Sequence, residues 1–237
     1  MTTPLLAGID VSAWQPHIDW RKVAEAGNAF AFVKATEGTR YVSPVFRTQR
    51  DGAKGEGLLV GAYGFGRWER DDPEAQAEHF ARTIGELGPG DLSPVLDLEW
   101  CSTGKKDEYG ETIYHRRPAI EIARWALRFL HRLRELTGRI PVIYTGPAFW
   151  AGYLPKSGPE VEELATYPLW TVDYSPGSVL AKVPKVPRSG WAYDFWQWTG
   201  SGKVDGVTDA RGRLVACDRN WFRGSVDELR LFAGGPA

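Results

Sequence analysis

The sequence predicts an α/β fold in which eight strands form a single barrel and the helices thin out in the C-terminal half. Three observations carry that expectation. Short β-rich runs recur between longer stretches of helical periodicity. Several of those runs, FAFV and LLVGAY among them, are continuously apolar, as strands buried on both faces of a parallel sheet are. After Tyr153 the β-then-helix rhythm weakens, and Gly, Pro and Ser become frequent from Lys156 to Gly190. The 237 residues suffice for one large domain or two small ones. No internal repeat, low-complexity linker or charge run divides them, so residues 1–237 are read as one domain with its core from about 6 to 232.

The elements follow in order. Leu6–Val11 is the first strand, and a short helix at Asp19–Ala26 stops at Gly27. The strand Ala29–Lys34 leads to a helix at Pro44–Lys54, ended by Gly55. Leu58–Phe65 is the third strand. The next helix, Asp72–Leu87, has an Asp-Asp-Pro start and a Gly-Pro stop. Pro94–Glu99 is the fourth strand, and the polar stretch Cys101–Arg117 behind it is read as a loop over the site. Pro118–Thr137 is the longest helix and ends at Gly138. Its Ile120, Ala123, Leu127, Leu130, Leu133 and Leu136 recur at three- and four-residue steps, a face to be laid on the barrel. Strands at Pro141–Thr145, Pro168–Tyr174, Ala192–Thr199 and Leu214–Asp218 complete the set.

Composition narrows the function. With 29 basic and 30 acidic residues the net charge is −1, so no broad basic field exists for nucleic acid or an anionic membrane. No apolar run approaches the roughly 18 residues of a membrane span. MTTPLLAGID lacks the charged start, apolar core and cleavage site of a signal peptide. His17, His79, His115 and His131 are scattered without metal-ligand spacing, and no phosphate loop is present, so neither metal nor cofactor is expected. Alternation puts Cys101 on the side of Glu99 and Cys217 on the side away from Asp218, so the two are read as free thiols. The 11 tryptophans are mostly core, but a flat apolar ring with one polar edge also suits the face of a sugar.

The segment SPVLDLEW carries the chemistry. Residues two apart in a strand share a face, roughly 6–7 Å apart along the chain, so Asp97 and Glu99 point together while Leu96 and Leu98 point into the other layer. Two carboxyls so placed raise one another's proton affinity. That is how one acid can stay protonated near neutral pH while its neighbour stays ionised, although on its own such a pair on a strand end is more often structural or solvated. Glycoside hydrolysis needs that division, an acid for the leaving oxygen and an anion for the cationic transition state.

The pair has company. GIDVSAWQPHIDW sets Asp10 at the end of the first strand. FAFVKATEG, GLLVGAYGF, GRIPVIYTGPAFW, PLWTVDY, FWQWTGSGKVDGV and CDRNWF follow. In this order and spacing the chain resembles the family 25 glycoside hydrolases, the lysozymes of the type first described from Chalaropsis and from bacteriophages. The resemblance runs from about residue 6 to 232. It implies a distorted TIM-like β/α barrel with a groove at the C-terminal ends of the strands. It also implies cleavage of the β-1,4 bond between N-acetylmuramic acid and N-acetylglucosamine in peptidoglycan. By this match Glu99 is the general acid, and Asp97 stabilises the reacting sugar or orients its N-acetyl group. Asp10 and Asp218 are the other two acids, and Tyr63 is an aromatic of the sugar subsite. Tyr144, Tyr174, Gln197, Trp198 and Glu37 are added as substrate-binding candidates.

Three of the candidates have two readings. Glu37 is either an acidic wall of the groove or a partner of Lys34. Gln197 either meets an acetamido group or is a buried amide satisfied by backbone. Asp173 either reaches substrate or forms a salt bridge. The chain departs from the family's usual pattern at Gly64, where histidine is common, and at Val172, where alanine is; both are expected to alter contacts along the groove. The expected partner is the peptidoglycan strand, met by a monomer made in the cytoplasm and brought to the wall by lysis, a phage particle or a secretion machine. The rival readings are a non-catalytic peptidoglycan-binding part of a phage tail or injection apparatus and a chitinase-like hydrolase.

Overall fold

Eight strands close on themselves. They are β1 (Leu5–Val11), β2 (Asn28–Glu37), β3 (Leu59–Phe65), β4 (Val95–Asp97), β5 (Val142–Thr145), β6 (Leu169–Val172), β7 (Phe195–Gly202) and β8 (Cys217–Arg223). The computed structural model describes residues 4–70 and 72–234. Residues 1–3 of the N-terminal reading, Asp71 of the expected helix start and residues 235–237 lie outside the described residues.

Strands β1 to β7 pair in parallel in chain order, and β8 inserts between β7 and β1, antiparallel to both. The barrel expectation holds, with a correction at the last strand. It begins at Cys217 rather than Leu214, and it runs the other way. A parallel return needs a crossover, usually a helix. The link from β7 to β8 has none; it makes a small pairing of Val207–Thr208 with His17–Ile18 and turns back. Asp218 therefore sits at the start of its strand. Reversal puts that start at the same mouth as the C-terminal ends of the others, and Asp218 is registered directly against Asp10.

The helices are α1 (Trp20–Glu25), α2 (Phe46–Gly55), α3 (Pro73–Ile84), α4 (Ala119–Thr137), α5 (Pro147–Tyr153), α6 (Pro159–Leu164), α7 (Pro176–Ala181) and α8 (Val226–Phe232). Asp72 caps α3 by accepting from the Ala75 N–H at 3.1 Å. Gly138 ends α4 at φ 67°, a left-handed position that favours glycine. The helices after α4 have six or seven residues, in keeping with the loss of rhythm after Tyr153. The face of α4 needs correction: Ile122, Trp125, Ala126 and Phe129 are buried with Ala123, Leu127, Leu130 and Leu133, whereas Leu136 is 41% exposed. A helix that packs against both α3 and α6 buries more than one stripe.

Alternation divides the core into two layers. Phe30, Phe32, Val95, Val142, Trp170, Phe195 and Phe222 fill the barrel. Ile9, Ala31, Val33, Leu96, Leu98, Ile143 and Leu169 face the helices. Helix α8 closes the floor, with Leu229 in the inner layer and Phe232 edge-on to Phe195 at 5.2 Å. The expected loop Cys101–Arg117 contains a hairpin, Ser102–Lys106 against Thr112–Tyr114. Cys101 does not share the side of Glu99: it joins Leu98 in the outer layer, because strand alternation stops where the chain bends into the hairpin. Cys101 and Cys217 are both free and buried. No helix among the described residues is long and apolar enough to cross a membrane.

Candidate active site

Strand ends from around the barrel bring Asp10, Tyr63, Asp97, Glu99, Tyr144, Trp170, Tyr174, Gln197 and Asp218 to one pocket of about 260 Å³. All four predicted acids are there. Asp97 ends β4, and its carbonyl accepts from Gly66 N–H at 2.9 Å. Glu99 lies two residues beyond the strand yet keeps its face. The Leu98 N–H donates to the Tyr144 carbonyl at 2.9 Å, and the buried Trp68 indole donates to the Glu99 carbonyl at 2.8 Å. The backbone on both sides of the pair is thus held by bonds that leave the carboxyls free to face the pocket.

Asp10 is held differently. Its Oδ2 accepts from Gln197 Nε2 and from Asn220 Nδ2, each at 2.8 Å. The other end of Gln197, its Oε1, accepts from the Tyr144 hydroxyl at 2.9 Å and from the Tyr174 hydroxyl. Trp170 Nε1 donates to Asn220 Oδ1 at 2.8 Å. The amides therefore have fixed orientations, and Gln197 is satisfied by side chains rather than by backbone. Asp218 stands beside Gly200, where a Cβ would come within 3.1 Å of Oδ1 and 3.3 Å of the Tyr174 hydroxyl. Glycine there is what lets the acid and the phenol approach.

Burial dominates the protonation of all four acids. It lifts Asp10 to about 6, with the Asn220 and Gln197 bonds pulling down. It lifts Glu99 to about 7, against the attraction of Lys34 and with repulsion from Asp10. It lifts Asp218 to about 8, reinforced by Asp10 and Glu99. Asp97 rises well above the usual carboxylate range through burial and Glu99, with Lys34 opposing. Its Oδ1 is buried and has no hydrogen-bond partner. Among the described residues no three His, Cys, Asp or Glu side chains are grouped to hold a metal ion; the acids surround the pocket instead of converging on one point.

Three candidates do not line the pocket. Trp198 follows the inward Gln197 on β7 and so points outward, stacked on Trp221 at 4.9 Å with the Arg219 guanidinium 5.3 Å from its ring. Glu37 is engaged by Lys34 Nζ at 2.9 Å and Arg67 Nη1 at 2.7 Å, the partner reading extended by a second cation. Asp173 does not line the pocket and, among the described residues, pairs with no cation: its carboxylate accepts from the backbone N–H groups of Ser175 at 3.0 Å and Lys185 at 2.7 Å.

The model of the glycosyl hydrolases family 25 matches residues 9–207. This chain belongs to glycosyl hydrolase family 25. It is 33% identical over 232 residues to lysozyme M1 of Streptomyces globisporus, covering 97% of this chain and 72% of that protein. It is 30% identical to the N,O-diacetylmuramidase of a Chalaropsis species, covering 96% and 99%. The solved bacterial lysozyme from Streptomyces coelicolor superposes with a TM-score of 0.80 at 32% identity, covering 96% of each chain.

Set in this family 25 barrel, the two departures from the usual pattern change meaning. Gly64 does not open the groove. It faces outward, where a Cβ would lie 3.0 Å from Thr36 Oγ1 and 3.1 Å from the Phe80 ring of α3, so glycine there serves helix packing. Val172 packs on the inner core beside the pocket, its Cγ1 occupying the space next to Gly146. The sequence reading missed Trp170, Asn220 and Lys34. The signal for Asn220 was available, since it lies two residues past Asp218 on one strand and shares its face. Trp170 was likewise two residues before Val172. Lys34 was noted only as a partner for Glu37; its pull on both Asp97 and Glu99 depends on β2, β3 and β4 being neighbours.

Proposed function

We propose that this protein is a retaining muramidase. It hydrolyses the β-1,4 bond from N-acetylmuramic acid to N-acetylglucosamine in peptidoglycan strands, with Glu99 as acid and then base. The names of its relatives, lysozyme and muramidase, favour this substrate. The observation that carries the chemistry is the contrast within the pair. Glu99 is poised to hold or release a proton near pH 7, while Asp97 presents a buried oxygen with no partner.

In the first step protonated Glu99 donates to the glycosidic oxygen. The 2-acetamido carbonyl oxygen of the reacting sugar attacks the anomeric carbon as the C–O bond to the leaving sugar breaks. The acetamido N–H lies against Asp97 and supplies the missing partner, which favours the ionised carboxylate, and that carboxylate offsets the positive charge that forms on the acetamido group. In the second step Glu99 takes a proton from water as the water oxygen bonds to the anomeric carbon, and the bond from that carbon to the acetamido oxygen breaks, which restores the acetamido group. Substrate assistance of this kind is a recognised route among glycosidases. Tyr144, Tyr174, Gln197 and Asn220 keep Asp10 in place, Tyr63 and Trp170 wall the sugar, and Asp218 closes the far side. The work is done at the cell wall by a single chain.

Reducing-end analysis of digested peptidoglycan tests the bond: new ends on muramic acid are expected, and new ends on glucosamine would refute it. Proton NMR of the first-formed anomer tests the route: a β product is expected, and an initial α product would rule out retention. Clearing of purified walls by Glu99→Gln at the wild-type rate would remove Glu99 from its role, whereas walls left uncleared by the wild type would favour a binding protein over an enzyme.

A further inference from the structure

Among the described residues are 11 tryptophans; seven are buried, three are half-buried, and Trp14 alone is exposed, at 87%. A single exposed apolar side chain is ordinary on a protein surface. The loop that carries this one is not. Ser12 N–H donates to Gln15 Oε1 at 3.1 Å, Gln15 N–H to the Ser12 carbonyl at 3.1 Å, and Trp14 N–H to Ser12 Oγ at 3.2 Å. From outside the loop, buried Gln49 of α2 donates Nε2 to the carbonyls of Ser12 at 3.0 Å and Gln15 at 2.8 Å. Gln15 Nε2 in turn reaches the Ala216 carbonyl at 3.1 Å, next to the start of β8. A turn satisfied at so many points, and tied to both a helix and the start of a strand, fixes the backbone from which the exposed indole projects.

That place is functional by topology. The turn leaves the C-terminal end of β1 one residue after Val11, so Trp14 stands four positions beyond Asp10 at the mouth of the barrel. Ala216 lies two residues before Asp218. In the strand order, β8 and β1 lie across the barrel from β4 and β5. The opposite rim carries the hairpin after Glu99, where Trp100 and Tyr114 rings lie 6.2 Å apart. The pocket between the rims is floored by Trp170 and has room for little beyond the reacting sugar. A polymer cut there must continue over a rim.

We propose that Trp14 is a stacking platform for a sugar ring of the glycan strand outside the reacting pocket, on the Asp10 and Asp218 side. The inference rests on the muramidase reading. An indole offers the apolar C–H face of a sugar a broad flat surface. Because the turn is ordered before the strand arrives, little conformational freedom is lost on binding. The occupant is a neutral ring of the same polymer, reached only when the substrate is longer than the pocket.

The experiment compares kcat/KM on glycan chains of several disaccharides with that on the shortest chain that is cut. Trp14→Ala is expected to lower the long-to-short ratio about tenfold, the equivalent of about 1.4 kcal/mol, and Trp14→Phe to recover most of it. Thermal melting of Trp14→Ala should match wild type, since the ring is exposed. Binding without turnover gives a second readout. In Glu99→Gln, long glycan chains should shift the emission of Trp14 to shorter wavelength, seen as the difference from Trp14→Ala/Glu99→Gln. An unchanged long-to-short ratio, or the same emission shift in both variants, would overturn the platform. If wild type cuts neither chain, the muramidase reading fails, and the emission difference still reports whether Trp14 meets the glycan.

Discussion

A carboxyl group stays half-protonated near pH 7 only where solvent is withheld and no strong donor holds its anion. Burial gives Glu99 that condition and places it at about 7, while Asp10, with two amide donors, settles at about 6. In the proposed route Glu99 must be protonated to act as the acid, so the descending limb of the pH–rate profile should lie near pH 7. Replacement by Gln is expected to lower kcat by about 10²–10⁴-fold, the usual contribution of a general acid. Lys34 sits at 2.9 Å from Glu37, close enough to Asp97 and Glu99 to favour their ionised forms. Lys34→Met removes that attraction, so the descending limb should move to higher pH. A limb unmoved in Lys34→Met would show that Lys34 serves only its partner Glu37.

At the scale of elements, the strands repeat one device: an inward apolar residue, then a polar residue at the mouth. Val95 precedes Asp97, and Trp170 precedes Tyr174 beyond a strand of four residues. The helices supply the complementary outer layer, so Gly64 is explained by Phe80 rather than by substrate. The floor depends on α8. Leu229 is fully buried against the inner core, and Leu229→Ala is expected to destabilise the fold by about 2–5 kcal/mol. Denaturant melts measure that, and a loss below 1 kcal/mol would mean that α8 does not support the barrel. Most element positions were legible because each strand is an apolar run and each of the first four helices has a stop signal. The wide buried face of α4 was not, since its burial is set by α3 and α6 as well as by the sheet.

At the scale of the whole molecule, the pocket is also a store of unfavourable charge. Asp10, Glu99 and Asp218 bind protons more tightly folded than unfolded, with folded values of about 6, 7 and 8. Groups raised in this way contribute stability that is complete below the ordinary carboxylate range and is lost as pH rises through the folded values. Exposed Asp72 and half-buried Glu37 are shifted the other way, Asp72 by the Ala75 N–H and Glu37 by its two cations, which outweigh its burial. Their stability is present above their unfolded values and is lost as pH falls towards their folded ones. The melting temperature should therefore be higher near pH 5 than near pH 8, by about 2–4 °C for each kcal/mol. Asp218→Asn should narrow that difference. An equal melting temperature at both pH values would contradict the protonation assigned to the pocket.

Local pattern was enough to place Asp97 and Glu99 on one face, to find seven of the eight strands within a few residues, and to end α4 at Gly138. Those features depend on neighbours in the chain, through alternation and through the freedom of glycine. The motif order also singled out Asp10, Asp218 and Tyr63. Tertiary structure decided the rest. It reversed the last strand, so that Asp218 reached the mouth from its strand's beginning. It turned Trp198 outward, engaged Glu37 with two cations, and made Asn220 and Lys34 parts of the site. Each of these depends on residues far apart in sequence, and their distances exist only once the sheet has closed.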